Sequence, residues 1–304
     1  MKYTKLNNKI IIEDLSQFNI KQIFDCGQIF RYYINNNVAE VVSKDKYAQI
    51  VTYDDKIEIN TKDVDYFEYF FDLNNDYSVI KNSLSGDTFL ASCIKYGYGI
   101  RILNQDLLEM IVSFIISANN NIKRIKNSLN LLSRQFGSKC VACLDCGKYC
   151  EDSPLSKNMD GRIEYYAFPT LNQLKRATIE DFTKAGLGYR APYMYDTIQR
   201  LTQEDLDNFA TLDKDERLQF LLSLKGVGEK VAHCILLFAM HQTSVFPVDT
   251  WINKVYNDLT NTTTTNRKTI SKQLTDRYGE LSGYAQQYFF YYYRENSNII
   301  NTNA

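Results

Sequence analysis

Two stretches of this 304-residue chain carry residue types at spacings that could do chemistry. The first is Leu224-Lys-Gly-Val-Gly-Glu-Lys-Val-Ala232, with Phe246-Pro-Val-Asp249 ending nineteen residues after Lys230. Two glycines two apart, between helical patterns, make a tight hairpin. Glycine permits left-handed backbone there and leaves N–H groups bare. With the N-terminus of the next helix, those groups form an anion site suited to a DNA phosphate. Gly226 and Gly228 are therefore candidate phosphate contacts. A Gly-x-Gly alone is equally an ordinary helix–helix turn, and Lys230 separates the two readings. In the first turn of the second helix, the helix's positive end and partial burial favour its neutral amine. Such an amine can attack a sugar C1′ and form a Schiff base. Asp249, set by Pro247 at the start of the next helix, offers a carboxylate to an oxocarbenium-like transition state. Singly, a Lys and an Asp are ordinary surface charges; at this spacing behind Gly-Val-Gly they are candidate catalytic residues.

The second stretch is Cys140-x2-Cys143-x2-Cys146-x3-Cys150; the other cysteines, Cys26, Cys93 and Cys234, are scattered. In an intracellular chain such crowding points to metal before disulfides. The spacing suits an iron–sulfur cluster or zinc, with a reduced, metal-free loop as the alternative.

The elements that must position these residues follow from pattern. Hydrophobic residues make up 44% and charged residues 23%, which describes a globular chain. No apolar run reaches a membrane span. The polar start MKYTKLNNKIIIEDL is no signal peptide, which implies a cytoplasmic protein, nucleoid-associated in a prokaryote. The net charge of −1 gives no hint of nucleic acid, so any DNA site must be a local constellation. Val38–Val42, Tyr47–Thr52 and Ile57/Ile59 read as strands of a five- to six-stranded antiparallel sheet with a helix or two. From about Gln105 the period becomes helical. Leu107–Ser117 reads as a buried helix, and Ile122, Ile125, Leu129, Leu132 and Phe136 mark a second, closed by Gly137 as C′. Asn119-Asn120-Asn121 breaks the two. Residues 138–166 read as a polar, Cys-bearing insertion with little apolar content to order itself. Helices are expected from Leu171, from the capping-box-like Thr178 to Gly186, over Asp213–Leu224, from Glu229 to about Met240, and over Gly283–Arg294. The division is 1–104, a mixed α/β domain; 105–295, an all-α domain; and 296–304, a tail.

The segment from Leu224 to Asp249 resembles the helix-hairpin-helix DNA glycosylases with a Gly/Pro…Asp loop. Further stretches, in order, are similar to eukaryotic-type 8-oxoguanine DNA glycosylase/AP lyases. They are Cys26-Gly-Gln-Ile-Phe-Arg31, Ser113-Phe-Ile-Ile-Ser-Ala-Asn-Asn-Asn-Ile-Lys-Arg124, Gly186-Leu-Gly-Tyr-Arg-Ala191 and Gly283-Tyr-Ala-Gln-Gln-Tyr-Phe-Phe290. The resemblance implies an α+β fold, a TBP-like antiparallel sheet domain followed by all-α helix-hairpin-helix subdomains. It implies a monomer that acts on damaged double-stranded DNA and needs no cofactor for the chemistry.

It also implies roles. Lys230 is the nucleophile and Asp249 assists. The Gly27 carbonyl meets the N7–H that only the oxidised guanine has. Gln286 reads the Watson–Crick edge, while Cys234 and Phe290 sandwich the flipped base. Asn119, Arg124 and Arg190 contact the orphaned cytosine, and Tyr189 wedges into the stack. For Cys234, Phe290 and Tyr189 plain packing is the alternative. Two positions depart from animal members: Trp251 stands where they have His, and Tyr293 where they have the Asp that orients it, so that phosphate contact is not carried over. Two rival readings are a glycosylase for alkylated or other oxidised bases and a non-catalytic DNA-binding module. Lys230 argues against the monofunctional alkyl-base enzymes, which use the Asp alone, and a bare phosphate clamp needs neither residue.

Overall fold

The structure is a computed structural model that describes residues 1–143, 153–159 and 162–296. Six strands form the N-terminal sheet: β1 (Tyr3–Leu6), β2 (Lys9–Ile12), β3 (Tyr32–Asn35), β4 (Val38–Ser43), β5 (Lys46–Thr52) and β6 (Ile57–Asn60). All pairs are antiparallel, in the order β1-β2-β6-β5-β4-β3. The register sets Val41 opposite Ala48 and Ile50 opposite Ile59. With a period of two, Ala39, Val41, Ala48 and Ile50 share one face. That face is buried with Phe18, Phe24, Phe67, Phe70 and Phe71, on or beside helices α1 (Ile20–Asp25) and α2 (Val64–Phe70). The next helices, α3 (Tyr77–Leu84) and α4 (Thr88–Tyr96), contribute instead to the core of the helical body.

That body continues through α5 (Leu107–Ser117), α6 (Ile122–Phe136), α7 (Leu171–Leu174), α8 (Ile179–Lys184), α9 (Ala191–Arg200) and α10 (Gln203–Asn208). It is completed by α11 (Lys214–Leu222), α12 (Glu229–Ala239), α13 (Thr250–Thr260), α14 (Arg267–Tyr278) and α15 (Ser282–Glu295). The expected helix starts are visible as hydrogen bonds. Asn121 caps α6, accepting from the Arg124 N–H at 2.9 Å, and Thr178 with Asp181 forms the capping box of α8. Gly137 follows α6 in extended rather than left-handed backbone, a departure from the expected C′ geometry. A side chain there would meet the Ala167 carbonyl, so packing and not a left-handed turn selects glycine.

The stretch 138–166, expected as a polar, Cys-bearing insertion, lies between α6 and α7 and carries strands that the sequence pattern does not announce. Strands β7 (Lys139–Cys143), β8 (Ser156–Met159) and β9 (Arg162–Tyr166) form a second antiparallel sheet, β7-β9-β8. Ala142, Leu155, Ile163 and Tyr165 pack on Val42 and Tyr47 from the second face of the main sheet. Glu40, fully buried in β4, accepts from Tyr47 Oη at 2.9 Å and from Ser156 Oγ at 2.5 Å. The segment is ordered by a partner face, not by its own apolar content. Cys140 and Cys143 sit three apart on β7, Cys140 half-buried and Cys143 exposed, so the strand carries them to opposite faces. Cys146 and Cys150 lie outside the described residues. Among the described residues no helix is long and apolar enough to cross a membrane.

Candidate active site

The hairpin is built as its residues dictate. Asp213 and Glu216 close a capping box on α11, and the chain turns after Leu222. Gly226 takes φ +81°, where any side chain is strained, while Val227 N–H returns to the Leu224 carbonyl at 3.2 Å. Of the two glycines only Gly226 is left-handed. Gly228 is extended, caps α12 without a side chain, and faces open space. The first N–H groups of α12 thus lack a side-chain cap beside two exposed glycines. Tyr193 flanks Gly226, and the Tyr189 and Tyr193 rings lie 6.5 Å apart.

Lys230, in the first turn of α12, is half-buried with its amine 5.5 Å from the Phe114 ring centroid on α5. One turn on is Cys234, buried on the same side of the helix. Burial pushes the Cys234 thiol up, and the Lys230 charge opposes this. Asp249 caps α13, its Oδ1 accepting the Ile252 N–H at 2.9 Å. Burial raises the Asp249 carboxyl above its ordinary value against the pull of that N–H and of the Lys230 and Arg267 charges. Lys230, Cys234 and Asp249 line one cleft of about 740 Å³.

Gly27, Gln286 and Phe290 line the same cleft. Gly27 has φ +80°, and a Cβ there would lie 2.8 Å from the Phe290 ring. Its turn is held by buried Gln28, whose Nε2 donates to the carbonyls of Ile23 (2.9 Å) and Arg101 (2.8 Å) and whose Oε1 accepts the Leu103 N–H (2.9 Å). Phe30 meets Phe114 edge-on at 5.8 Å. Arg31 is buried 3.8 Å from Glu109 on α5 and joins the sheet to the helical body. The Gly-Gln-x-Phe-Arg stretch thus braces the Gly27 turn at the edge of the cleft.

Asn119 is exposed at φ +50°, at the mouth, and Arg124 is exposed one turn into α6 with no ion pair among the described residues. Tyr189 is 59% exposed, with the Arg190 guanidinium 4.3 Å from its ring centroid and its hydroxyl donating to the Ala118 carbonyl at 3.4 Å. Arg190 lies against the Asn119 turn. It is 5% exposed, and its guanidinium donates to the carbonyls of Ala118 (Nε, 2.9 Å, and Nη2) and Asn119 (Nη2, 2.8 Å). In this arrangement Arg190 clasps the Asn119 turn. Trp251 lines the cleft half-buried, while Tyr293 is buried edge-on to Phe89 at 5.8 Å.

Phe114, Arg267, Gln287 and Arg294 also line the cleft and escaped the sequence reading. Two adjacent glutamines inside the aromatic run of α15 were the available signal. No described residue of 138–166 lines it. Replacing Cys140, Cys143, Cys146 and Cys150 by Ser is therefore expected to leave base excision measurable. Complete loss in a variant with unchanged circular dichroism would tie that segment to the chemistry.

Residues 10–111 match the 8-oxoguanine DNA glycosylase N-terminal domain family, and residues 112–280 match the HhH-GPD superfamily of base excision DNA repair proteins. A probable N-glycosylase/DNA lyase of Methanothermobacter thermautotrophicus is 32% identical over 73% of this chain and 72% of its own length. The N-glycosylase/DNA lyase OGG1 of Arabidopsis thaliana is 34% identical over 63% of this chain, which matches 51% of that relative. The crystal structure of the Clostridium acetobutylicum 8-oxoguanine glycosylase/lyase, bound to DNA with cytosine opposite 8-oxoguanine, superimposes with a TM-score of 0.85 at 35% identity. That alignment covers 98% of this chain and 99% of the other. With the two domain families matched in succession over residues 10–280, the chain belongs to the 8-oxoguanine glycosylase branch of the HhH-GPD superfamily of base excision DNA repair proteins.

Proposed function

We propose that this chain is a bifunctional DNA glycosylase/AP lyase that removes 8-oxoguanine from duplex DNA, preferentially opposite cytosine. The observation that carries this is the convergence of Lys230 and Asp249 on a cleft of about 740 Å³, within the range of pockets that bury a small organic ligand. The Lys230 amine bonds to C1′ as the C1′–N9 bond breaks, and the electron pair leaves with the base. The Asp249 carboxylate stabilises positive charge on the sugar. Opening of the sugar ring gives the Schiff base; loss of a C2′ proton then expels the 3′ phosphate. The protein side chains suffice for these steps.

The Gly27 carbonyl, held by Gln28, accepts the lesion's N7–H, while normal guanine presents a lone pair there and is repelled. Gln286 meets the Watson–Crick edge, with Cys234 and Phe290 on the two faces of the base. The uncapped N–H groups around Gly226 and Gly228 hold a phosphate, and Tyr189 fills the gap in the stack.

Opposite-base choice falls on Asn119 and Arg124, with Arg190 as the brace of the Asn119 turn. Cytosine offers N3 and O2 acceptors to the Arg124 guanidinium, whereas adenine turns its N6 donor toward it. One unmet buried hydrogen-bonding group costs about 1–3 kcal/mol, so a C-over-A preference of about ten- to a hundredfold is expected. Single-turnover excision on duplexes differing only opposite the lesion tests this. Arg124→Ala should flatten the ratio; equal weakening for every opposite base would make Arg124 a phosphate contact instead. The same assay with an alkylated base in place of 8-oxoguanine tests the lesion assignment.

A further inference from the structure

Two glutamines stand side by side on α15, and both line the cleft. Gln286 is 5% exposed and Gln287 is 2% exposed. Gln287 Nε2 donates to Gln286 Oε1 at 2.7 Å, while Gln287 Oε1 is buried without a hydrogen-bond partner. Buried amide oxygens are ordinarily paired, so an unmet one in a substrate cleft marks where a ligand donor is to arrive. Consecutive helical residues point about 100° apart; here the amide–amide bond draws the two side chains to one edge of the cleft.

We propose that Gln287 is a specificity-determining residue that sets the polarity with which the amide pair reads the flipped base. This rests on the reading of the cleft as an 8-oxoguanine site. With its Oε1 engaged by Gln287, Gln286 turns its NH2 group to the cleft as a donor. Beside it, Gln287 Oε1 is an acceptor. A donor next to an acceptor matches O6 and N1–H of a guanine-type Watson–Crick edge. An adenine-type edge has the opposite order, an N6 amine beside an N1 lone pair, and would set donor against donor and acceptor against acceptor. The two oxidised purines share N7–H and O8, so Gly27 cannot tell them apart. The amide pair can.

The test compares single-turnover release of 8-oxoguanine and 8-oxoadenine, each opposite cytosine, by the full-length protein and by Gln287→Met, which keeps the shape and removes both hydrogen-bonding groups. Borohydride trapping on an abasic-site duplex, where there is no base to read, normalises each rate for folded enzyme. The normalised 8-oxoguanine over 8-oxoadenine ratio is expected to fall about tenfold, the cost of one unmet buried hydrogen bond. Gln287→Glu is the second variant. It keeps an acceptor but cannot donate to Gln286, so the Gln286 amide turns and the ratio falls as well. An unchanged ratio in both variants, or base release that falls only in step with abasic trapping, overturns the role of Gln287 and leaves the site assignment standing. A wild-type protein that traps on abasic DNA but releases no 8-oxoguanine overturns the site assignment and this inference with it.

Discussion

Lys230→Gln is expected to abolish base release and strand cleavage while duplex binding persists. Lys230 is the amine at the start of α12 whose charge acts on both Cys234 and Asp249, and its neighbours Gly226 and Gly228 bring no side chain to replace it. Removing the nucleophile is expected to lower single-turnover excision on the order of 10⁴-fold or more, because no other group forms the C1′ bond. Binding should survive because the phosphate contact is made by backbone N–H groups that the substitution leaves in place. Gel-shift affinity and excision measured on the same duplex check the separation. Full glycosylase activity in this variant would end the assignment of Lys230.

Asp249→Asn is expected to slow excision about 10²–10³-fold, the usual effect of deleting one preorganised charge, and to stabilise the fold at neutral pH. The second effect follows from the sign of the shift. Burial raises the folded carboxyl above its unfolded value, outweighing the Ile252 N–H and the Lys230 and Arg267 charges. A group raised in the folded state stabilises below its unfolded value, and that contribution is lost as pH rises through the folded value. Holding Asp249 ionised at neutral pH therefore costs stability, and Asn removes the cost while still capping α13. Thermal melts should show a higher Tm for the variant at neutral pH, with the gap closing as pH falls into the carboxylate range. Wild-type excision should fall off on the acid side above the ordinary Asp range, and the variant should lack that limb.

The candidate pair Lys230 and Asp249 and the hairpin were legible in the sequence because they are local. A glycine pair, a helix start and a capping Asp each announce themselves within a few residues. Cleft positions contributed by separate elements, Gly27, Asn119 and Gln286, were reached only through resemblance, since nothing local brings them together. Strands β1 and β3 are four residues each, with β1 largely exposed, and carry no alternation to read. The second sheet was misread because its order is supplied by Val42 and Tyr47, about a hundred residues earlier. Only in the folded chain does the unbroken burial of β4, Glu40 included, show that this sheet is covered on both faces. The hydrogen bonds of Arg190 lay beyond the sequence for the same reason. Its acceptors belong to the Asn119 turn, some seventy residues away, and only the folded chain shows the guanidinium spent on them.

The measurement that tests the central claim most directly is borohydride trapping of the purified protein on a duplex with 8-oxoguanine opposite cytosine. A covalent protein–DNA adduct is expected, formed by the wild type and absent in Lys230→Gln. Release of 8-oxoguanine with no adduct in the wild type, or an adduct of equal yield in Lys230→Gln, would contradict the Schiff-base account of this site.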